Sequence, residues 1–261
     1  MEVFYAREAA YIKLLGWEHF FYMSLILFLV FVLIAQRRRL YLYQNALTRI
    51  ILGVSIFQQV LLYAWYFFET GFDLAEALPL HLCRISSVLG IVYLLTKKSI
   101  LMDVVFYYGL YAYASFVYPQ AIYAPYHLLG ISYLLNHAIT LILPIVSYYA
   151  FDWRPQLLGL ILSMLSFLIY FGFAYYVNGV TGGNYFYLTN RPFFHALPVW
   201  QFNTLAVGVT LLGFYLAYWL VSGRKKKRLI IQTLIQVSKF NQSFKQAILI
   251  HIIRDVIDDG F

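Results

Sequence analysis

Seven stretches of about twenty residues carry almost no charge, and no other feature limits the fold as strongly. A helix of that length crosses about 30 Å of hydrocarbon and satisfies its own backbone hydrogen bonds there. The chain is also 62% hydrophobic and 20% aromatic, which is more apolar surface than a soluble protein of 261 residues could bury. We therefore predict an all-α, polytopic membrane helix bundle. The predicted spans are roughly 17–36, 47–69, 79–96, 99–119, 127–150, 156–178 and 201–222.

Basic residues at the ends of these spans set the orientation. Arginines at 37–39 follow the first span, lysines at 97–98 the third, Arg154 the fifth and the basic run at 224–228 the last. Lys and Arg concentrate on the cytoplasmic side of membrane proteins, so the N-terminus is predicted outside and the C-terminus in the cytoplasm of a cell-membrane protein. The net charge of +8 is explained by these flanks, and no nucleic-acid partner is predicted.

The predicted organisation has three parts: an outer amphipathic segment at 1–16, a seven-helix transmembrane domain at 17–222, and a basic cluster with a cytoplasmic amphipathic helix at 223–261. The apolar stripe of this last helix is formed by Leu234, Val237, Phe240, Phe244 and Ile248. Beside a basic cluster, such a stripe favours binding to anionic lipids of the inner leaflet. The alternative is a helix packed against the bundle or another subunit.

The segment "LPLHLCRISS" at 78–87 places His81, Cys83 and Arg84 at the start of the third span. A charge within a span costs roughly 2.5–3.5 kcal/mol at mid-bilayer and marks a functional site by default, although an arginine near the surface can also extend to the lipid headgroups. The predicted partners of Arg84 are the acidic residues at the same level, Glu69, Asp73 and Glu76. Because Cys83 is the single cysteine, no internal disulfide is possible.

Two further segments converge on the same side of the predicted bundle. His137, in "YLLNHAIT", enters the fifth span at a depth comparable to that of His81 and needs a hydrogen-bond partner there. The long loop at 178–200 carries Gly and Pro punctuation and is predicted to be either a lid or a structural cap. Its candidate substrate-binding residues are Asn184, Tyr185 and Arg191. The histidines are scattered without metal-ligand spacing, so no metal or cofactor is predicted.

Three segments, "LPLHLCRIS", "NHA" and "GGNYFYLTNRP", resemble the hallmark segments of the YwaF-like family of bacterial integral membrane proteins over about residues 15–222. The resemblance implies a seven-span membrane protein. Distant animal relatives of that family are associated with acyl transfer to lysophospholipids, with a catalytic cysteine directly before the third-span histidine. Leu80 holds that position here, and Cys83 follows His81 by two residues, about 200° around a helix. Cysteine acyl transfer therefore does not carry over by analogy.

The leading functional hypothesis is an enzyme acting on a lipid or lipid-linked substrate at the outer leaflet, as a transferase or hydrolase. His81 and His137 would serve as general base and acid, and Arg84 would hold a phosphate or carboxylate through its planar fork of donors. The nucleophile would be Cys83, a neighbouring serine (Ser86 or Ser87) or a hydroxyl of the substrate itself.

Two alternatives stay open. A binding protein or transporter for an anionic solute would use the same arginine and histidines together with Glu69. A non-catalytic envelope scaffold or regulator would use them only as contacts between helices. A closed outer pocket favours an enzyme or receptor, and a polar channel reaching Asp103 and Asp152 in the cytoplasmic half favours transport.

Overall fold

The computed structural model describes residues 2–222, with side chains from residue 4 onward. The chain divides into two compact units, Met1–Ala217 and Tyr218–Phe261, and all side-chain contacts reported below lie within the first. The amphipathic helix predicted at 223–261 falls outside the described residues.

The described residues are helical and contain no named strand, which confirms the all-α prediction. The helices are α1 (Glu2–Tyr5), α2 (Trp17–Ala35), α3 (Gln44–Thr70), α4 (Leu82–Thr96), α5 (Ser99–Val117), α6 (Leu128–Ala150), α7 (Leu157–Thr181) and α8 (Val199–Ser222). Short 3-10 turns at Leu40–Tyr43 and Tyr185–Tyr187 precede α3 and follow α7.

Six of these helices are long and apolar enough to cross a membrane, which supports a multi-pass membrane protein. They are α2, α3 with its preceding 3-10 turn, α5, α6, α7 and α8. The predicted span at 79–96 appears as α4, which is apolar but has 15 residues, fewer than the roughly 20 of an ordinary span. It starts at Leu82 rather than at residue 79 because His81 has an extended backbone (φ −79°, ψ 135°).

The amphipathic helix expected over residues 1–16 is wrong beyond Tyr5, where α1 ends. The backbone groups that a helix would bond internally are bonded to other parts of the molecule instead. The carbonyl of Tyr5 accepts from the Trp65 indole at 2.7 Å, and the amide of Ile12 donates to the Ile122 carbonyl at 2.8 Å. Long-range partners therefore override the local apolar pattern.

Helix α6 forms the centre of the bundle and is the most buried of the candidate spans. It packs against α3 on one side and against α4 and α5 on others. Small residues permit these close approaches: a Cβ on Gly109 of α5 would lie 3.0 Å from the Thr140 methyl group of α6. This arrangement brings the first turns of α4 and α6 to the same end of the bundle as the loop after α7.

Candidate functional site

His81 is the N-cap residue of α4, and its side chain makes no capping hydrogen bond. Its ring instead lies 5.4 Å from the Tyr185 ring and 5.8 Å from the Tyr187 ring, centroid to centroid. Among the described residues, neither ring nitrogen of His81 has a hydrogen-bond partner, although the residue is half-buried.

Other buried histidines differ from His81 in this respect. His19 accepts from the Leu15 amide and bonds the Phe116 carbonyl, and His127 bonds two backbone groups in the same way. Both rings have a partner at each nitrogen, as expected of structural histidines in a protein interior. The open nitrogens of His81 are therefore available to a ligand.

His137 differs from both, because one of its ring nitrogens has a hydrogen-bond partner and the other does not. Its Nδ1 lies 2.8 Å from the carbonyl oxygen of Tyr133, which can only accept, so Nδ1 carries the proton. Nε2 has no partner among the described residues and presents a lone pair. The ring packs against the rings of Tyr133 and Phe116, with centroid-to-centroid distances of 4.0 and 5.5 Å. A fixed tautomer with an open Nε2 is the geometry that a general base requires.

His81, Arg84 and His137 lie together, and we call them the imidazole–arginine cluster. The charges of Arg84 and His137 both act on the His81 ring, and the charge of Arg84 acts on His137. The structure thus brings together three residues that lie up to 56 positions apart (137 − 81) in the chain.

Arg84 does not pair with the acidic residues expected from the sequence. Its Nη1 donates to the Glu76 carbonyl at 2.7 Å and to the Leu78 carbonyl at 3.3 Å, and its Nη2 donates to the Tyr66 hydroxyl. The carboxylates of Glu76 and Asp73 contact Arg7 instead, at 2.9 and 4.0 Å. The sequence did not predict the pairing with Arg7, because it does not show which part of the folded protein the N-terminal residues contact. Among the described residues, Arg84 therefore has no carboxylate within salt-bridge distance.

Tyr185 connects the loop after α7 to the segment that carries His81. It is fully buried, and its hydroxyl donates to the Leu74 carbonyl at 2.7 Å and accepts from the Leu78 amide at 3.0 Å. Asn178 at the end of α7 binds the Tyr185 backbone twice, accepting from its amide at 2.8 Å and donating to its carbonyl at 2.9 Å. Tyr185, predicted to bind substrate, is thus fully engaged in holding these two loops together.

Phe186 and Tyr187 both have left-handed backbones, with φ of 58° and 55°, which bulky residues rarely adopt. The Phe186 ring is held among aromatic rings of α5 and α7, namely Tyr111, Phe167, Tyr170 and Phe171. This anchoring turns Tyr187 towards His81. Burial raises the pKa of Tyr187 to about 12, so the phenol stays protonated at neutral pH. Nothing in the sequence distinguished Tyr187 among 25 tyrosines.

Cys83 is a free, half-buried thiol in the first turn of α4. Its charge would act on tyrosines from three helices and the loop after α7: Tyr111, Tyr133, Tyr170 and Tyr187. Three of these hydroxyls already have partners. Tyr111 bonds the Thr210 hydroxyl, Tyr170 donates to the Leu80 carbonyl at 2.6 Å, and Tyr133 donates to the Ser115 carbonyl at 3.1 Å. The surroundings of Cys83 are therefore aromatic and hydroxyl-rich.

Three predicted site residues make their contacts outside the imidazole–arginine cluster. Asn184 binds backbone groups of Thr189 and Asn190 and so closes a turn of its own loop. Arg191 donates to the Leu197 carbonyl at 2.8 Å and lies over the Phe202 ring. Glu69, in the last turn of α3, acts electrostatically on His127. Their predicted role in substrate binding gains no support from these contacts.

A buried amide–hydroxyl network lies deeper in the bundle and was also missed. Gln58 donates to Ser132 at 2.9 Å, while Gln59 donates to the Gln58 carbonyl oxygen at 2.8 Å and to Ser87 at 3.0 Å. Neutral polar residues in apolar runs give a weak sequence signal, because each one alone is tolerated in a span. The network ties α3, α4 and α6 together beneath the imidazole–arginine cluster.

At the other end of the bundle, Asp103 is buried and accepts from the Trp153 indole at 3.2 Å. A Cβ on Gly159 would overlap its carboxylate, so α7 begins in direct contact with this side chain. Asp152 is exposed and pairs with Arg154 at 3.0 Å. Within residues 2–222, no group of three or more His, Cys, Asp or Glu side chains is placed to hold a metal ion.

Comparisons with known proteins agree with a membrane fold. The sequence model of the TMEM164 family matches residues 14–250. An uncharacterized protein of Treponema pallidum (strain Nichols) is 24% identical over 115 residues, which cover 44% of this chain and 48%, about half, of that protein. No solved structure matches the chain. Because the family match extends over most of its length, the chain belongs to the TMEM164 family of membrane proteins.

Proposed function

We propose that the chain crosses the cell membrane seven times, with α4 as the shortest crossing and with the N-terminus outside. At 1.5 Å per residue α4 spans about 22 Å, and the apolar residues at 78–80 extend it towards the surface. The basic flanks at 37–39, 97–98 and 224–228 support this orientation, since positive residues stay on the cytoplasmic side. The imidazole–arginine cluster then lies near the outer surface.

Within this topology, the protein is an enzyme that acts on a lipid or lipid-linked substrate at the outer leaflet, as a transferase or hydrolase. One observation carries the proposal: both ring nitrogens of His81 and Nε2 of His137 have no partner among the described residues, whereas His19 and His127 have partners at both nitrogens. None of these three nitrogens is fully sealed from the surface, so a ligand can reach them and supply the hydrogen bonds that the protein leaves open.

The geometry suggests distinct roles for the two histidines. His137 has its proton fixed on Nδ1 by the Tyr133 carbonyl, so its Nε2 acts as the general base towards a hydroxyl or water. His81 has no partner that fixes its tautomer, so its neutral ring can donate the proton of one nitrogen to the leaving group while its other nitrogen takes a proton from water. The attacking group is a hydroxyl of the substrate or water, with the Cys83 thiol as the other candidate.

Arg84 contributes charge and the part of its fork of donors that stays open. Three of its five N–H groups are engaged by two backbone carbonyls and the Tyr66 hydroxyl, which leaves Nε–H and one Nη2 hydrogen. The guanidinium still has no neighbouring carboxylate among the described residues, and its field stabilises negative charge that develops beside His81. An anionic or anion-forming substrate group suits this environment better than a cationic one.

A second candidate function is binding or transport of an anionic solute. It is favoured by the buried polar residues that continue inward along α6, namely Ser132, Asn136, Thr140 and Ser147. Such a stripe runs from the second turn of α6, past the level of His137, towards the end of the bundle where Asp103 lies. Uptake of a labelled anion that depends on Asn136, without any change in lipids, would favour this candidate.

The experiment that tests the enzyme proposal is a comparative lipid profile of cells carrying the intact protein, no protein, His81→Ala or Cys83→Ala. We expect His81→Ala to copy the deletion and shift one phospholipid or glycolipid class, because loss of a general acid–base group lowers rates by about 10²–10⁴-fold. The His81 side chain makes no hydrogen bond among the described residues, and the backbone bonds of this residue do not depend on its side chain, so the variant should stay close to the intact protein in thermal stability. We expect Cys83→Ala to leave the lipid profile unchanged.

The four strains separate the remaining possibilities. A profile that shifts in Cys83→Ala as well would make the thiol the nucleophile. If no lipid class moves in any strain, including the deletion, the enzyme proposal is wrong and the solute-binding candidate takes its place.

A further inference from the structure

Residues 5–12, which we call the N-terminal strap, lie across the end of the bundle and are held through their backbone. Three successive carbonyls each accept from a side chain of the bundle. The Tyr5 carbonyl accepts from the Trp65 indole at 2.7 Å, and the Arg7 carbonyl from the Tyr123 hydroxyl at 3.0 Å. Between them, the Ala6 carbonyl lies 3.2 Å from Nε2 of His127. The strap is thus secured chiefly by neutral donors.

His127 serves the strap and the bundle at once. Its Nδ1 accepts from the Leu129 amide at 3.1 Å and caps the start of α6, while its Nε2 donates to the Ala6 carbonyl. Both bonds require one tautomer, the neutral ring with the proton on Nε2. A protonated ring carries a hydrogen on Nδ1 as well, and two donors would then face each other at the cap. The strapped state therefore excludes the imidazolium form.

The surroundings of His127 do not compensate for a positive charge. The ring is buried, stacks on Tyr123 at 4.2 Å and lies near Trp65. Glu69 on α3 is the carboxylate whose charge acts on it, and the carboxylates of Asp73 and Glu76 are solvent-accessible and share the single positive charge of Arg7. Burial is the dominant influence and lowers the pKa of His127 despite Glu69 and the backbone acceptors.

We propose that the N-terminal strap is an acid-released latch, opened when His127 takes up a proton. A group whose pKa is lowered in the closed state stabilises that state above its ordinary pKa, and the stabilisation is lost as the pH falls. Release frees the imidazole, which can then bind a proton at about pH 6.5. Acid therefore favours the open strap, and neutral pH favours the closed one.

Opening the latch would reach the imidazole–arginine cluster through Glu76. Its carboxylate binds Arg7 of the strap at 2.9 Å, and its backbone carbonyl accepts from Arg84 at 2.7 Å. When the strap is released, the ion pair between Arg7 and Glu76 is lost, and the loop that carries Glu76 loses a stabilising contact. That consequence, control of the site by acid, rests on the proposed function, whereas the latch itself does not.

Hydrogen exchange of the full-length protein in detergent, at about pH 7.5 and about pH 5.5, tests the latch. The reporter is the Ile12 amide, which is protected by the Ile122 carbonyl. After correction for the intrinsic pH dependence of exchange, we expect the equilibrium constant for strap opening to be about tenfold larger at the lower pH. This is the ratio expected when opening frees an imidazole with a pKa of about 6.5.

Three variants decide the assignment. His127→Gln keeps a donor for the Ala6 carbonyl but cannot titrate, so its opening should not depend on pH. Arg7→Gln should open more readily at both pH values while keeping the tenfold ratio. His127→Asn keeps only the cap for the Leu129 amide, so its strap should exchange quickly at both pH values, which serves as the test if the glutamine variant does not fold.

A tenfold ratio that persists in His127→Gln or His127→Asn, or no pH dependence in the intact protein, would overturn the latch. The exchange measurement needs no substrate. A positive result together with an unchanged lipid profile would therefore remove only the proposed enzyme function.

Discussion

Gly130→Ala is expected to lower the free energy of unfolding by on the order of 2–3 kcal/mol, net of the roughly 1 kcal/mol that alanine gains in a helix. A Cβ at position 130 would overlap the Ala124 carbonyl oxygen and lie 2.7 Å from the Tyr22 hydroxyl. The overlap is with backbone, so no rotamer change relieves it. The turn at 123–127 would have to move, and with it the hydrogen bond from Tyr22 to the Tyr123 carbonyl.

The matched control is Gly172→Ala in α7, where a Cβ would meet no atom within 4 Å. There the helix propensity acts alone, and the variant should be as stable as the intact protein or more stable by about 0.5–1 kcal/mol. Thermal unfolding midpoints of both variants in the same detergent give the comparison. Equal midpoints for the two would mean that the approach of α6 to the turn at 123–127 is looser than the structure indicates.

The helices were predictable because an apolar run of about twenty residues has few alternatives to a membrane span. Predicted and observed boundaries differ by up to three residues for all seven helices from α2 to α8. The late start of α4 was not predictable, because it depends on the backbone conformation of His81, and that conformation is set by the contacts of the loop at 71–81. The conformation of the N-terminal strap was not predictable for a related reason, since the residues that bind it lie more than 50 positions away in the sequence.

The sequence predicted those residues of the candidate site whose side chains are rare within membrane spans. His81, Arg84 and His137 stand out because charged and imidazole groups are costly in apolar surroundings, and each must have a reason to be there. The pairing of charges was not predictable, and Arg7 proved to be the partner of Glu76. Nor was the role of Tyr187, because its position depends on two left-handed backbone angles that sequence patterns do not reveal.

Two asparagines, one in the last turn of α7 and one in the loop that follows, differ in importance in a way that the sequence does not reveal. Asn184 lies in the conspicuous "GGNYFY" segment, whereas Asn178 looks like the end of a span. The structure gives the buried role to Asn178, which binds both backbone groups of the fully buried Tyr185. The hydrogen bonds of Asn184 are exposed, so water can replace them.

Asn178→Ala is therefore expected to cost about 2–5 kcal/mol, since it leaves a buried amide and a buried carbonyl without partners, at about 1–3 kcal/mol each. Asn184→Ala removes three bonds by count but should cost less than about 1 kcal/mol, because the freed groups return to solvent. The thermal unfolding midpoints of the two variants in the same detergent show whether the loss of stability follows the burial of the hydrogen bonds or their number. If Asn184→Ala is the less stable of the two, the number of bonds rather than their burial holds this loop against His81.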